Sequence, residues 1–251
     1  MEEPKILKVC IGIVCIGEKY LKEFEELFKP SVMAYAKKYG YDVKIFTDYI
    51  GEKHPDLISF QKCLVPSQLL EYDCVVVMDA DIYIHDYAFS IHTMATDKIG
   101  IVNEVAQISQ EDYRKIDWLS QPIEYYRLAG FKLQTDKILN TGVMLCKPSL
   151  HAEFMKGIYD KYSHSAIGHP WGFHYEQACI GYELQSQDKF VILRNTWNHI
   201  YRFNKLLNIP FNTPFFVHFA TLKSSCRNEV KNYLTVKRPH NIYRWGINKQ
   251  R

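Results

Sequence analysis

The sequence has no Cys-x-x-Cys pair, no Asn-x-Ser/Thr acceptor site, no long apolar run and no strong excess of charge of one sign. Each absence excludes something. Seven cysteines are an odd number, and several sit inside apolar runs such as Val9-Cys10-Ile11 and Asp73-Cys74-Val75. They read as buried free thiols in a reducing compartment, not as a disulfide framework or a zinc knuckle. The longest early apolar run, Val9–Gly17, is far short of the roughly 20 residues that span a bilayer. Met1–Lys8 lacks the pattern of a secretory signal. The expectation is a soluble, cytoplasmic protein. With 31 basic against 28 acidic residues, the charge balance does not suggest a nucleic-acid binder. Basic residues do gather at the end, at Lys237, Arg238, Arg244, Lys249 and Arg251. They are either a solvated tail or a peripheral contact with phosphate or an anionic membrane surface.

There are also no internal repeats and no low-complexity linker, which predicts a single domain over residues 1–251. Residues 1–103 read as one half, 104–227 as a second and 228–251 as a basic extension. The first half alternates strand and helix patterns. Leu7–Val14, Tyr41–Thr47 and Cys74–Met78 are apolar, β-branched runs. Between them, Lys19–Tyr39 and Leu57–Tyr72 carry apolar residues at helical spacing, interrupted by Pro30 and Pro66. The order β-α-β-α-β implies parallel strands and a Rossmann-like α/β core. Later segments predict a short helix at Tyr87–Met94 and strands at Ile99–Val102, Ile138–Cys146, Phe190–Leu193 and Phe215–Phe219. Helices are predicted at Leu150–Tyr162 and Tyr175–Gln185. Glu104–Lys137 shows no clear period and reads as a substrate-shaping insertion. Aromatics make up 14% of the chain, with 18 tyrosines, which suits either sugar-like ligands or an aromatic core.

Four short segments carry chemistry. Asp79-Ala80-Asp81 directly follows the most apolar strand. In extended chain, residues i and i+2 face one way, so both carboxylates converge at the carboxyl end of a strand, where open α/β sheets bind ligands. Adjacent carboxylates repel and call for a cation such as Mn²⁺ or Mg²⁺; the alternative is a turn that caps a helix. His218 lies inside Phe216-Val217-His218-Phe219, with Lys223 five residues on. It is either a core histidine or a third metal ligand, in which case an imidazole favours Mn²⁺. Asn140-Thr141-Gly142 interrupts an apolar strand, as a β-bulge or as a place of close ligand approach. Glu176 and Gln177 open a helix, where an acid is favoured by the helix dipole alone. His164, His169 and His174 are five residues apart, a candidate zinc cluster or a loop that lines a cleft with Trp171 and Phe173. Trp118, Tyr125 and Tyr126 are either sugar platforms or core.

The order Asp-x-Asp, Asn-Thr-Gly-Val, Glu-Gln and His-Phe with a following Lys resembles the GT-A glycosyltransferases. The pattern is most similar to the retaining families 8 and 34, the glycogenin-like and the xylosyl- and galactosyltransferase-like enzymes. The resemblance spans residues 7–223. It implies a GT-A domain, with a central mixed, mostly parallel sheet flanked by helices. It also implies a metal-dependent transfer of sugar from a nucleotide donor, UDP above all, to a glycan, protein or small-molecule hydroxyl. Asp79, Ala80 and Asp81 match the segment that binds metal and donor, and His218 matches the third metal ligand. Lys62 and Lys223 resemble basic residues on the donor phosphates. Ile11, Ile13 and Cys15 resemble the strand edge that holds the nucleotide base, and Tyr20 the tyrosine stacked on uracil. Asn140 and Gln177 resemble contacts to the transferred sugar, and Glu176 stands where family 8 usually has Asp. Two other classes share parts of this pattern. A sugar-nucleotide-forming nucleotidyltransferase usually has a Gly-rich basic loop after the first strand, and Cys15-Ile16-Gly17-Glu18-Lys19 is a poor match. A catalytically decayed binding protein is hard to square with intact Asp79, Asp81 and His218.

Overall fold

A computed structural model of the chain describes residues 7–109, 111–112, 121–220, 228 and 230–232. Residues 1–220 form one compact unit and 221–251 a second; every element below belongs to the first.

Strand β1 (Val9–Val14) is an unbroken apolar run because it is covered on both faces. It leads into α1 (Glu18–Glu23), a π-helical turn at Phe24–Phe28, and α2 (Lys29–Tyr39). Pro30 does not end the helix. It sits in the first turn of α2, has no N–H to return to the Glu26 carbonyl, and the ladder widens into the π turn just before it. Gly40, at φ 69°, closes α2 in the left-handed conformation that lacks a Cβ penalty. Strand β2 (Asp42–Phe46) follows.

The predicted helix over Leu57–Tyr72 is absent. Three 3₁₀ turns, Pro55–Leu57, Ser59–Leu64 and Pro66–Gln68, replace it, with i→i−3 bonds such as Val65 N to Lys62 O at 3.3 Å. Pro66 removes the donor that an α-helix would direct at the Lys62 carbonyl, and the tighter winding needs no such bond. All of Phe60, Gln61, Lys62, Cys63 and Leu64 are buried in this stretch. Strand β3 (Cys74–Asp79) and β4 (Ile82–Ile84) come next. The helix expected at Tyr87–Met94 is a single 3₁₀ turn, Ile91–Met94. Then come β5 (Ile99–Asn103), α3 (Pro122–Leu128), β6 (Leu139–Cys146), α4 (Pro148–Ala166), α5 (Phe173–Ser186) and β7 (Phe190–Leu193). The described part ends in β8 (His199–Ile200), α6 (Asn204–Leu207) and β9 (Phe216–His218), before the few residues of the second unit.

Six strands form the main sheet in the order β2-β1-β3-β6-β5-β7. β1 pairs parallel with β2 and β3, and β5 with β7; β6 runs against its neighbours β3 and β5. The sheet is thus mixed and mostly parallel, as expected. A second sheet, β4-β9-β8, was not foreseen. Of its strands only β9 falls in a predicted one, Phe215–Phe219; β4 and β8, of three and two residues, are too short for a period-2 pattern to register. Helix α4 packs on the 3₁₀ stretch and α5 on β6.

Six cysteines, Cys10, Cys15, Cys63, Cys74, Cys146 and Cys179, are free and buried, as the sequence suggested; Cys226 lies outside the described residues. Tyr125 and Tyr126 are 1% and 0% exposed and belong to the apolar core, so they are not sugar platforms. Aromatic rings fill much of that core, and their hydroxyls need partners when buried. Tyr125 finds Gln177 Nε2 and the His174 carbonyl, and Tyr126 finds Gln185.

Candidate active site

β3 ends at Asp79, and the chain turns through Ala80 and Asp81 into β4. His218, 137 residues beyond Asp81, reaches them through the small sheet. Ile82 pairs with His218 in the β4–β9 ladder, and the Phe219 N–H donates to the Asp81 carbonyl at 3.0 Å. His218 Nε2 therefore lies 3.3 Å from Asp81 Oδ1 and 3.6 Å from Asp79 Oδ2. One ligand atom from each of the three residues falls within 4.8 Å of the others, the one such group among the described residues. No zinc cluster of His164, His169 and His174 exists there; the His169 ring stacks on Tyr175 instead. The two aspartate side chains are 30% and 41% exposed, so the group opens to solvent.

Burial works against a proton on His218, but the charge of Asp81 and its hydrogen bond outweigh that and raise the imidazole pKa. Burial likewise opposes charge on Asp81, and His218 holds its carboxyl below the usual range. Two carboxylate oxygens and one imidazole nitrogen at this spacing are a donor set that fits Mn²⁺ or Mg²⁺.

Lys62 stands beside this group. The 3₁₀ stretch carries it under the sheet, and its Nζ lies 2.6 Å from Asp79 Oδ1, 3.5 Å from Thr141 Oγ1 and 3.7 Å from Glu176 Oε2. Burial opposes its charge, yet Asp79 and then Glu176 push its pKa up, so it stays cationic. Glu176, in the first turn of α5, is 2% exposed. Its Oε2 accepts from Thr141 at 3.4 Å, while its buried Oε1 has no hydrogen-bond partner among the described residues. Burial raises the Glu176 carboxyl to about 7; Lys62 opposes that rise and the Asp79 charge adds to it.

The Asn-Thr-Gly segment is both a bulge and part of the site. The β5–β6 register steps from Ile101 opposite Met144 to Val102 opposite Asn140. Thr141 meets Lys62 and Glu176, whereas Asn140 and Gly142 meet His218 and its supports. A Cβ on Gly142 would stand 2.3 Å from His218 Cε1. Asn140 is 4% exposed: its Oδ1 accepts from Gly142 N and Asn198 Nδ2, and its Nδ2 donates to Glu104 Oε2 at 2.9 Å. Gln177 is half-buried and donates to Glu104 and to Tyr125.

Of the remaining sequence candidates, Ile11 and Ile13 are 0% exposed, with no atom of either at the surface, and Cys15 is buried. Tyr20 is 62% exposed on α1, which removes the alternative of a core aromatic. Lys223 lies outside the described residues, as do Trp118 and the basic tail. Glu104 and Asn198 had no signal in the sequence: each is a single polar residue in a stretch without periodicity, and only the folded chain brings them to the site.

No protein-family model matches the sequence. A search of curated proteins found no match. Solved structures do match. A glycosyltransferase involved in the glycosylation of the major capsid of PBCV-1 superposes with a TM-score of 0.60 at 16% identity, over 89% of this chain and 99% of its own. The galactosyltransferase LgtC, in complex with donor and acceptor sugar analogues, does so with a TM-score of 0.55 at 11% identity, over 92% and 98%. The bifunctional glycosyltransferase WbbM gives 0.61 at 13% identity, over 89% of this chain and 47% of its own. Shared topology over nearly the full length of the first two gives the conclusion that the chain has the fold of the GT-A glycosyltransferases.

Proposed function

We propose that the chain is a divalent-cation-dependent glycosyltransferase that moves a sugar from a nucleotide donor, UDP-linked, to an acceptor hydroxyl on a glycan, protein or small molecule, with retention of configuration. The observation that carries this reading is the group Asp79, Asp81 and His218, open to solvent at the end of β3, beside a buried Lys62–Glu176 pair. Asp79, Asp81 and His218 would hold Mn²⁺ or Mg²⁺, which when bound supplies positive charge to the donor diphosphate.

The chain's own residues do the rest. Lys62 adds a fixed cation next to Asp79, where negative charge develops on the leaving nucleotide. Glu176 Oε1, buried and without a hydrogen-bond partner among the described residues, offers an acceptor to a sugar hydroxyl, and its carboxylate form stabilises the positive charge that builds at the sugar ring. Tyr20 presents an exposed ring to the nucleotide base. Asn140 acts through Asn198 and Glu104, since its own amide groups are already bonded. The described residues include no helix long and apolar enough to cross a membrane; the reading places the enzyme in the cytoplasm, with the basic C-terminal residues as a peripheral membrane contact.

The test is nucleotide release from a panel of UDP- and GDP-sugars, with Mn²⁺, with Mg²⁺ and with EDTA. Release from one UDP-sugar, abolished by EDTA, supports the reading and names the donor. The anomeric configuration of the product, read by NMR, decides retention. Absence of both release and nucleotide binding across the panel would sink it.

A further inference from the structure

Asn198 was met above only as a partner of Asn140, yet it is fully buried and its side chain bonds the His218 ring. It lies between the 3₁₀ turn Asn195–Trp197 and β8. Because β8 pairs with β9 and places Ile200 opposite His218, Asn198 is held beside the imidazole. Its Oδ1 is 3.0 Å from His218 Nδ1. A carboxamide oxygen only accepts, so the proton of this bond is on Nδ1. That leaves Nε2 as the nitrogen that faces Asp79 and Asp81.

The direction of this bond is set by groups that cannot reverse. The Gly142 backbone N–H only donates, and it donates to Asn140 Oδ1 at 3.0 Å. Asn140 must therefore turn its oxygen inward and its Nδ2 toward the Glu104 carboxylate, 2.9 Å away. With an oxygen at Asn140, Asn198 must present its Nδ2, which donates to Asn140 Oδ1 at 2.7 Å and to the Asn140 carbonyl at 3.4 Å. Its oxygen is then left for His218. Gln107 ties the Asn198 backbone by donating to its carbonyl at 2.9 Å. Gly142 completes the seat, since any Cβ there would collide with His218 Cε1 and Nδ1.

We propose that Asn198 is a positioning residue: aligned by Asn140 and Glu104, it holds the His218 imidazole with Nδ1 protonated and Nε2 aimed between Asp79 and Asp81. The proposal rests on the cation site put forward above for its purpose, though not for its geometry. The chain of amides makes Asn140 part of the same device, so a residue that resembles a sugar contact serves the cation side of the site. Outer partners of this kind typically change metal affinity about 10–100-fold when removed.

The experiment uses the full chain with ¹⁵N-labelled histidine. In metal-free protein, NMR is expected to show a His218 Nδ1 proton in slow exchange. Asn198→Leu, close in volume but without an acceptor, loses that slow proton and weakens binding of Mn²⁺ alone about tenfold or more. Asn198→Asp keeps an acceptor for Nδ1 but loses the donor to Asn140 Oδ1. It therefore retains the Nδ1 proton and binds Mn²⁺ more tightly than the leucine variant though less tightly than wild type, a readout that stands even if the leucine variant folds poorly. A wild-type Nδ1 without a proton overturns the proposal, as does a folded Asn198→Leu that binds Mn²⁺ as tightly as wild type. A chain that shows the Nδ1 proton but binds no Mn²⁺ overturns the purpose assigned to the seat. Mn²⁺ binding that depends on Asn198, with no sugar transfer from any donor, would refute the transferase reading and leave the positioning role intact.

Discussion

Lys62 Nζ sits 2.6 Å from Asp79 Oδ1, although Lys62 is almost wholly buried and Asp79 is partly open to solvent. The pair joins a 3₁₀ turn to the end of the central strand, and it lets a lysine stay charged inside the protein. Lys62→Met removes the cation from between two carboxylates and leaves buried Glu176 with one partner fewer. The expected cost is about 1–3 kcal/mol of stability, the usual penalty of an unsatisfied buried polar group, measured by urea unfolding. Sugar transfer should fall much further than stability does. A variant of native stability and native turnover would show that Lys62 is a bystander.

Glu176 gives stability a pH dependence with a definite sign. Its carboxyl is raised from the ordinary value near 4.5 to about 7, with burial as the main cause. The folded state therefore holds the proton more tightly than the unfolded state. Its contribution is fully present below about pH 4.5 and is lost as pH rises through 7, a change of about 3 kcal/mol at roughly 1.4 kcal/mol per pH unit. Metal-free wild type should lose stability between pH 5 and 8, and Glu176→Gln should flatten that slope. His218, whose pKa is also raised, contributes in the same direction, so the comparison of the two proteins isolates Glu176. Equal slopes would contradict the assignment.

The fold was largely legible because long elements carry long patterns. β1, β3 and β6 are buried on both faces and read as apolar runs, and α4 and α5 show their apolar faces over many turns. The Leu57–Tyr72 segment misled because 3₁₀ and α windings bury similar spacings, and only the backbone constraint at Pro66 separates them. The site was half legible. Asp79, Asp81 and His218 are titratable residues in or after apolar runs and Glu176 opens a helix, signals that the sequence carries locally, whereas Lys62 was reached only through the family resemblance. Asn198 and Glu104 act through contacts made across 58 and 36 residues from Asn140, and nothing local marks them.

Gly142→Ala tests the floor of the site. The added methyl meets His218 Cε1 at 2.3 Å and Nδ1 at 2.5 Å, and the ring is packed too closely to yield freely. Overpacking of this kind costs about 1–3 kcal/mol. Mn²⁺ affinity and turnover should drop together, because Nε2 is pushed off the Asp79–Asp81 line. Unchanged Mn²⁺ affinity in calorimetry would show that the ring has room the structure does not suggest.

Tyr20 separates binding from folding. At 62% exposure it contributes little to the core, so Tyr20→Ala should leave the melting temperature unchanged. If its ring stacks on the nucleotide base, a loss of about 1–3 kcal/mol of stacking raises the donor KM about 5- to 150-fold with kcat little altered. A KM equal to that of wild type would remove Tyr20 from the donor site.

In the proposed reading Asp79, Asp81 and His218 hold a cation that in turn holds a nucleotide diphosphate. Its most direct test is calorimetric titration of UDP into the protein, with Mn²⁺ or with EDTA, for wild type and for Asp81→Ala. Binding is expected to require Mn²⁺ and to be lost in Asp81→Ala while the variant stays folded. Binding of equal strength in EDTA, or in Asp81→Ala with Mn²⁺, would contradict it.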